Sequence, residues 1–181
     1  GRTTPAALAR KVDKIEPTLL MDESDAAFKG DKEYTEILRG MLNTGHRRGG
    51  SVTVCVGQGA NTDFKDFSTF SAKVIAGIGK LPDTVDDRSI PIVLKRRARS
   101  EPVERFRQRE ARELAGPVRA DLESWAFQFL ENLRDARPDI PISLSDRAAD
   151  GWEPLLAIAD LAGIEWSERA RRAALALSDT E

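Results

Sequence analysis

Between Pro17 and the adjacent carboxylates Asp22 and Glu23 the chain sets four residues that lean apolar, Thr18-Leu19-Leu20-Met21. A run this short, closed by proline on one side and charge on the other, predicts a strand buried on both faces. Such a strand implies an α/β layer with covering elements on either side of a parallel sheet. A carboxylate at the end of a buried strand is costly unless it meets solvent, a metal or a hydrogen-bond donor. Nucleotide-hydrolysing enzymes use this arrangement, the Asp serving magnesium and the neighbouring Glu the attacking water. A solvated Asp-Glu turn is the plainer alternative.

The surrounding pattern extends the α/β reading. Thr4-Pro5 is a cap followed by a first-turn proline, and Leu8, Val12 and Ile15 share a helical face up to Pro17. A second helix is expected over 33–47, with Ile37, Leu38, Met41 and Leu42 inward and Gly49-Gly50 as its stop. Residues 51–56 alternate and are β-branched, and Phe64, Phe67 and Phe70 follow the loop GQGANTD, which predicts a β-hairpin. Residues 72–78 and 90–94 read as two further buried strands around the loop GKLPDTVDDRS.

At Lys95 the composition changes. Nine cationic residues from Lys95 to Arg119 face four glutamates. From Val103 the pattern is helical, with Leu122, Trp125, Ala126, Phe129, Leu130 and Leu133 as an apolar stripe. Pro138 and Pro141 interrupt it. Ser145 starts a helix carrying Trp152, Leu155 and Leu156, and Ser167-Glu168 opens the last one. The expected organisation is an α/β part over 1–97 and an all-helical part over 98–181. Trp125, Trp152 and Trp166 are expected in the core. The Arg-rich stretch reads either as a solvated helix face with i,i+4 ion pairs or as a nucleic-acid groove.

Charge and cysteine content narrow the function classes. With a net charge of −2, the average surface offers no general attraction to nucleic acid or anionic lipid, so any basic site is local. The single Cys55 excludes an intrachain disulfide and points to a reducing compartment. No apolar run approaches the roughly 20 residues of a membrane span and no signal peptide is visible, so a cytoplasmic protein without membrane partners is expected. One histidine, His46, has no cysteine or second histidine for a zinc site and serves no nucleophile triad. His46-Arg47-Arg48 at the end of the second helix suits capping of its carbonyls, with phosphate or DNA contact as the alternative.

In order, a strand ending Asp-Glu, a helix, a β-hairpin, a strand, an LPD loop, Arg88, a strand and a helical lid resemble the ATPase domain of viral and mobile-element helicases of the AAA+ type. The segments PTLLMDESDAAFKG, LRGMLNTGHRRGG, KVIAGIGKLPDTVDDRSIPIVLKRR and SDRAADGWEPLLAIADLAG together look like one bacterial and phage family, domain of unknown function thirty-six thirty-one. That resemblance runs from about Thr4 to Leu177. It implies an incomplete P-loop NTPase core followed by a lid. Asp22 would serve magnesium, Glu23 the water, and Arg88 a γ-phosphate across a subunit boundary of a homo-oligomeric ring. Arg147 would be a second sensor, and Lys65 near the hairpin tip would face DNA.

Two departures accompany the resemblance. The position where such helicases carry a water-orienting Asn is Gly79 here, with Lys80 as a possible substitute. No GxxxxGK[ST] loop precedes the Asp-Glu strand, and Gly57-Gln58-Gly59 lacks its Lys-Ser/Thr. The resemblance places that loop upstream of Gly1. This chain alone is therefore expected to bind ATP poorly and to hydrolyse it hardly at all. The competing reading is a non-enzymatic module on a decayed ATPase scaffold that contacts DNA or protein, including a role in phage resistance.

Overall fold

A computed structural model of the chain describes residues 3–30, 32–57 and 62–178. The chain divides into two compact units, Gly1–Ser89 and Ile90–Glu181. The first is mixed α and β; the second is helical. The division falls ahead of the boundary expected at residue 97, because Ile90 packs against the helical core around Trp152 and Leu156.

In the first unit, helix α1 (Pro5–Ile15) starts at Thr4, whose side chain accepts from the Ala7 amide at 3.3 Å. It ends at Glu16, which adopts a left-handed conformation. Strand β1 (Leu19–Met21) is followed by helices α2 (Ser24–Phe28) and α3 (Lys32–Thr44). Strands β2 (Ser51–Val56) and β3 (Asp63–Ser68) form the expected antiparallel hairpin, with Val52 opposite Phe67 and Val54 opposite Lys65. Strand β4 (Lys73–Ile75) pairs in parallel with β1, Leu20 lying opposite Val74, and the short helix α4 (Asp83–Asp86) follows.

Two apolar clusters hold these elements. The hairpin packs through Phe67, Val52, Val54 and Val56 onto Ala9 of α1 and Met41 of α3. The β1–β4 pair packs through Met21 and Ile75 onto Leu38 and Leu42 of α3 and Val85 of α4. Residues along a strand alternate between faces, so Leu19 and Met21 turn toward the helices while Leu20 turns away. Leu20 and its partner Val74 remain 78% and 56% exposed. The expectation that β1 is buried on both faces is thus corrected to one face.

The end of α3 also differs from expectation. The helix stops at Thr44, and the cation that meets the chain just past its end is Lys73 rather than Arg47 or Arg48. Lys73 Nζ donates to Gly45 O at 2.8 Å, Ser71 O at 2.7 Å and Thr69 O at 3.3 Å. Gly45 is needed there, since a Cβ would lie 2.6 Å from that ammonium and 2.3 Å from Thr69 O. Arg47 Nε instead donates to His46 Nε2 at 2.9 Å, and the Arg48 guanidinium sits 4.7 Å from the centre of the Phe70 ring. Burial lowers the Lys73 ammonium from 10.5 to about 8.

The second unit comprises α5 (Gln108–Arg134), α6 (Asp146–Leu161) and α7 (Ile164–Ser178). Ser145 caps α6 by accepting from the Ala148 amide at 3.3 Å. Trp152, Leu156 and Ala174 form the core where α6 meets α7. The α6–α7 turn is locked by Arg171, whose two terminal nitrogens donate to both oxygens of Asp160 at 2.6 and 3.0 Å. Ser167, expected to open the last helix, lies inside α7 and donates to the same carboxylate at 2.6 Å.

Three further expectations are corrected. Residues 90–94 form no strand and residues 91–94 are exposed, because their backbone has no ladder partner among the described residues. Helix α5 buries none of its apolar stripe, Leu122 and Leu130 being largely exposed, and Trp125 stacks at 5.2 Å on Phe129 instead of entering a core. Trp166 is exposed, with Arg169 over its ring. Of the three tryptophans only Trp152 is a core residue. Among the described residues no helix is long and apolar enough to cross a membrane.

Candidate functional site

The carboxyl ends of β1 and β4 lie side by side and are knitted by two backbone bonds. The Ala76 amide donates to Met21 O at 2.8 Å, and the Ser24 amide donates to Ala76 O at 3.0 Å. Two side-chain features tighten the junction. Ser24 is buried, and Asp25 Oδ1 accepts from the Ile78 amide at 3.3 Å. Gly77 passes so close that a Cβ there would meet Ser24 Oγ at 2.3 Å. Ends of adjacent parallel strands are where α/β proteins gather ligand-binding loops.

Asp22 and Glu23 sit at this junction, both exposed. Asp22 Oδ1 accepts from the Glu23 amide at 2.9 Å, which fixes the turn. Glu23 adopts φ 55° and ψ 40°, a left-handed conformation, and its side chain makes no capping bond to α2. For a residue other than glycine, asparagine or aspartate this conformation is unfavourable. The strand end therefore holds an exposed glutamate under backbone strain beside an exposed aspartate.

Gly79 and Lys80 follow β4 and are exposed at the carboxyl end of the neighbouring strand. Gly79 has φ 99°, which accounts for glycine at a position where the resemblance places Asn. The structure thus sets Asp22 and Glu23 at the end of β1, with Gly79 and Lys80 four and five residues past the end of β4. It does not add Arg88, which turns back on its own segment: its Nη1 donates to Thr84 O at 2.6 Å and closes the end of α4. Arg147 is the second residue of α6, in the other unit, and is exposed.

Lys65 lies in the exposed part of β3, its ammonium 5.1 Å from the centre of the Phe67 ring, with Arg10 of α1 at 5.6 Å from the same ring. Of the loop beyond it, Gln58 to Asn61 lies outside the described residues, and with it most of the Gly57-Gln58-Gly59 segment. An open cleft of about 430 Å³ in the first unit is lined by Arg39, Asn43, Pro82, Asp83 and Thr84, and not by the strand-end carboxylates. Ser24, Asp25 and Gly77 were missed from the sequence. Their signal was weak, a small residue and a second acid just after Asp-Glu and a lone glycine after an apolar run.

Asp22 is the residue at this sheet end that the sequence reading assigns to a metal. Among the described residues no three His, Cys, Asp or Glu side chains cluster as a metal site. Magnesium bound with a nucleotide takes one or two protein carboxylates and otherwise phosphate and water oxygens. One exposed aspartate with one oxygen taken up by its own turn fits one such position.

Residues 93–181 match the family described as "Protein of unknown function (DUF3631)", a match that takes in the second unit and not the Asp22–Glu23 strand end. The likeness shown is thus narrower than the span from Thr4 to Leu177 on which the sequence resemblance drew. An "Uncharacterized 28.9 kDa protein in xis 5'region" of Saccharopolyspora erythraea is 43% identical over 84 residues. The alignment covers 46% of this chain and 31% of that protein, so the chain spans under a third of the relative's length. No solved structure matches.

Proposed function

We propose that this chain is the carboxyl-terminal portion of an ATP-dependent helicase-like or remodelling ATPase of phage or mobile-element type, with an incomplete P-loop NTPase core. In this reading Asp22 supplies one ligand to the magnesium of Mg-ATP, and Glu23 orients and polarises the attacking water. The observation that carries it is Glu23 itself. A solvent-facing glutamate in a left-handed conformation contributes no side-chain cap to α2 and no ion pair among the described residues. Local strain of this kind clusters at functional sites.

Bound magnesium would supply charge neutralisation of the phosphates. In this reading Lys80, exposed five residues past the end of β4, would meet an anionic group. In this reading Arg88 reaches a neighbouring subunit's nucleotide only after releasing Thr84 O. A homo-oligomeric ring and DNA, met through Lys65, Arg47 and Arg48, are the partners this reading requires. The engagement of Arg88 with α4 is the observation that favours the alternative, a scaffold that binds DNA or protein without turnover.

The deciding experiment joins the chain to a preceding GxxxxGK[ST] segment from its own gene and measures ATP hydrolysis. Glu23→Gln is expected to abolish turnover while nucleotide is retained, and Asp22→Asn to remove the magnesium dependence. Turnover at the unaltered rate in Glu23→Gln, or no nucleotide-dependent change in the joined protein, overturns the reading.

A further inference from the structure

The Arg-rich stretch that begins the second unit is two different structures. From Gln108 onward it is helix, and its charges are paired: Arg109 with Glu113 at 3.5 Å and Arg119 with Glu123 at 2.8 Å. Arg107, at the helix start, approaches Glu110 at 3.7 Å. Before the helix the pattern reverses. Lys95, Arg96, Arg97 and Arg99 lie on irregular, fully exposed chain and make no ion pair among the described residues, nor does Arg105.

The nearest acid does not neutralise them. Glu101 Oε2 accepts from the Ala98 amide at 2.9 Å, while the Glu101 amide donates to Ala98 O at 3.1 Å. This closes a turn that holds Arg99 beside the preceding basic run. Between Lys95 and Arg107 six cations face two glutamates, in a chain whose net charge is −2. Phe106 stands between Arg105 and Arg107 and is 82% exposed.

Unpaired cations crowded on one short segment repel each other, and the fold draws no ion-pair stabilisation from them. They suit a polyanion. Guanidinium forks match phosphate oxygens bidentately. A basic groove with an exposed aromatic ring is the arrangement that holds single strands, because an unpaired base stacks on the ring while phosphates meet the cations. A duplex keeps its bases stacked on one another and has no use for Phe106.

We propose that residues 95–107 form a binding arm for single-stranded nucleic acid, with Lys95, Arg96, Arg97 and Arg99 contacting phosphates and Phe106 stacking on a base. The arm is separate from Lys65, Arg47 and Arg48, and it does not depend on the ATPase reading.

The test is fluorescence anisotropy of the full chain with labelled single-stranded and duplex oligonucleotides over a salt series. Four neutralised phosphates give a slope of log K against log salt of about −3 for a single strand. The triple variant Arg96→Gln/Arg97→Gln/Arg99→Gln is expected to flatten that slope by about 2. Phe106→Ala is expected to weaken binding by about 5- to 150-fold with the slope unchanged. The pair Arg109→Gln/Arg119→Gln, on the ion-paired helix, leaves both unaltered. All these side chains are exposed, so circular dichroism and Trp152 emission confirm that each variant is folded.

Absence of binding at low salt overturns the proposal, as does binding indifferent to the triple variant. Equal binding by Phe106→Ala, or preference for duplex, removes the single-strand assignment. Ile92, Val93 and Leu94 are exposed beside the arm. Capture by phosphatidylserine vesicles without oligonucleotide binding therefore replaces nucleic acid with a lipid surface.

Discussion

Replacing Glu23 by glycine separates what this residue does for the fold from what it does for function. At φ 55° and ψ 40° the side chain crowds the following carbonyl, which costs roughly 1–2 kcal/mol for a residue with a Cβ. Glycine removes that term but loses about 0.5–1 kcal/mol more backbone entropy on folding. No capping bond is forfeited, because Glu23 makes none. The net expectation is a gain of about 0.5–1 kcal/mol.

Native-state hydrogen exchange reads this gain where it acts. The Ala76 and Ser24 amides bridge β1 and β4, and their protection factors should rise about two- to fivefold in Glu23→Gly. Glu23→Gln keeps the strain and should leave both unchanged, while Glu23→Val, β-branched, should lower them. Under the proposed ATPase reading, the glycine variant of the joined protein should be more stable and inactive, the usual trade between a strained site and stability. If Glu23→Gly lowers the protection of these amides, or matches Glu23→Gln, the strain argument is wrong and the functional reading loses its main support.

Gly77→Ala places a methyl against buried Ser24 and should destabilise the first unit by about 1–3 kcal/mol; adding Ser24→Ala should restore much of it in urea titrations. Asp160 is held below the ordinary carboxylate range first by its hydrogen bond from Arg171, then by that from Ser167, against an opposing desolvation. Its unfolded form binds more protons, so this stabilisation is present above the ordinary aspartate pKa and is lost as pH falls through the lowered one. In urea titrations the stability advantage of wild type over Arg171→Met should therefore be largest near neutral pH and should shrink as pH falls through the lowered Asp160 pKa. Lys73 has the opposite charge and the same sign of slope: with its pKa lowered to about 8 from 10.5, the unfolded chain binds the extra proton between these values. Stability should therefore rise from pH 8 to 10.5, by about 1 kcal/mol after discounting for solvent screening of a half-exposed group, and a flat profile over that window would contradict the assignment.

Local chemistry was legible in the sequence. Thr4-Pro5 and Ser145 start helices because a hydroxyl cap and a first-turn proline act within one turn of chain. The hairpin over 51–68 was legible for the same reason, its alternation of Val52, Val54 and Val56 being a property of adjacent residues. Asp22-Glu23 was correctly expected to end a strand.

What tertiary structure alone decided is which groups find partners far along the chain. Residues 90–94 have the composition of a strand, yet a strand exists only where another backbone supplies its hydrogen bonds. Arg47 and Arg48 stood nearest the end of α3, but Lys73, 28 residues beyond Gly45, is the cation that folding delivers to the Gly45 carbonyl just past that end. The stripe on α5 has helical period without burial, since periodicity describes a face and not what lies against it. The carboxylates of Asp22 and Glu23 were readable as chemistry; the left-handed backbone of Glu23, and the close approach of Gly77 to Ser24 and Asp25 beside them, appear only once β1 pairs in parallel with a strand some fifty residues later.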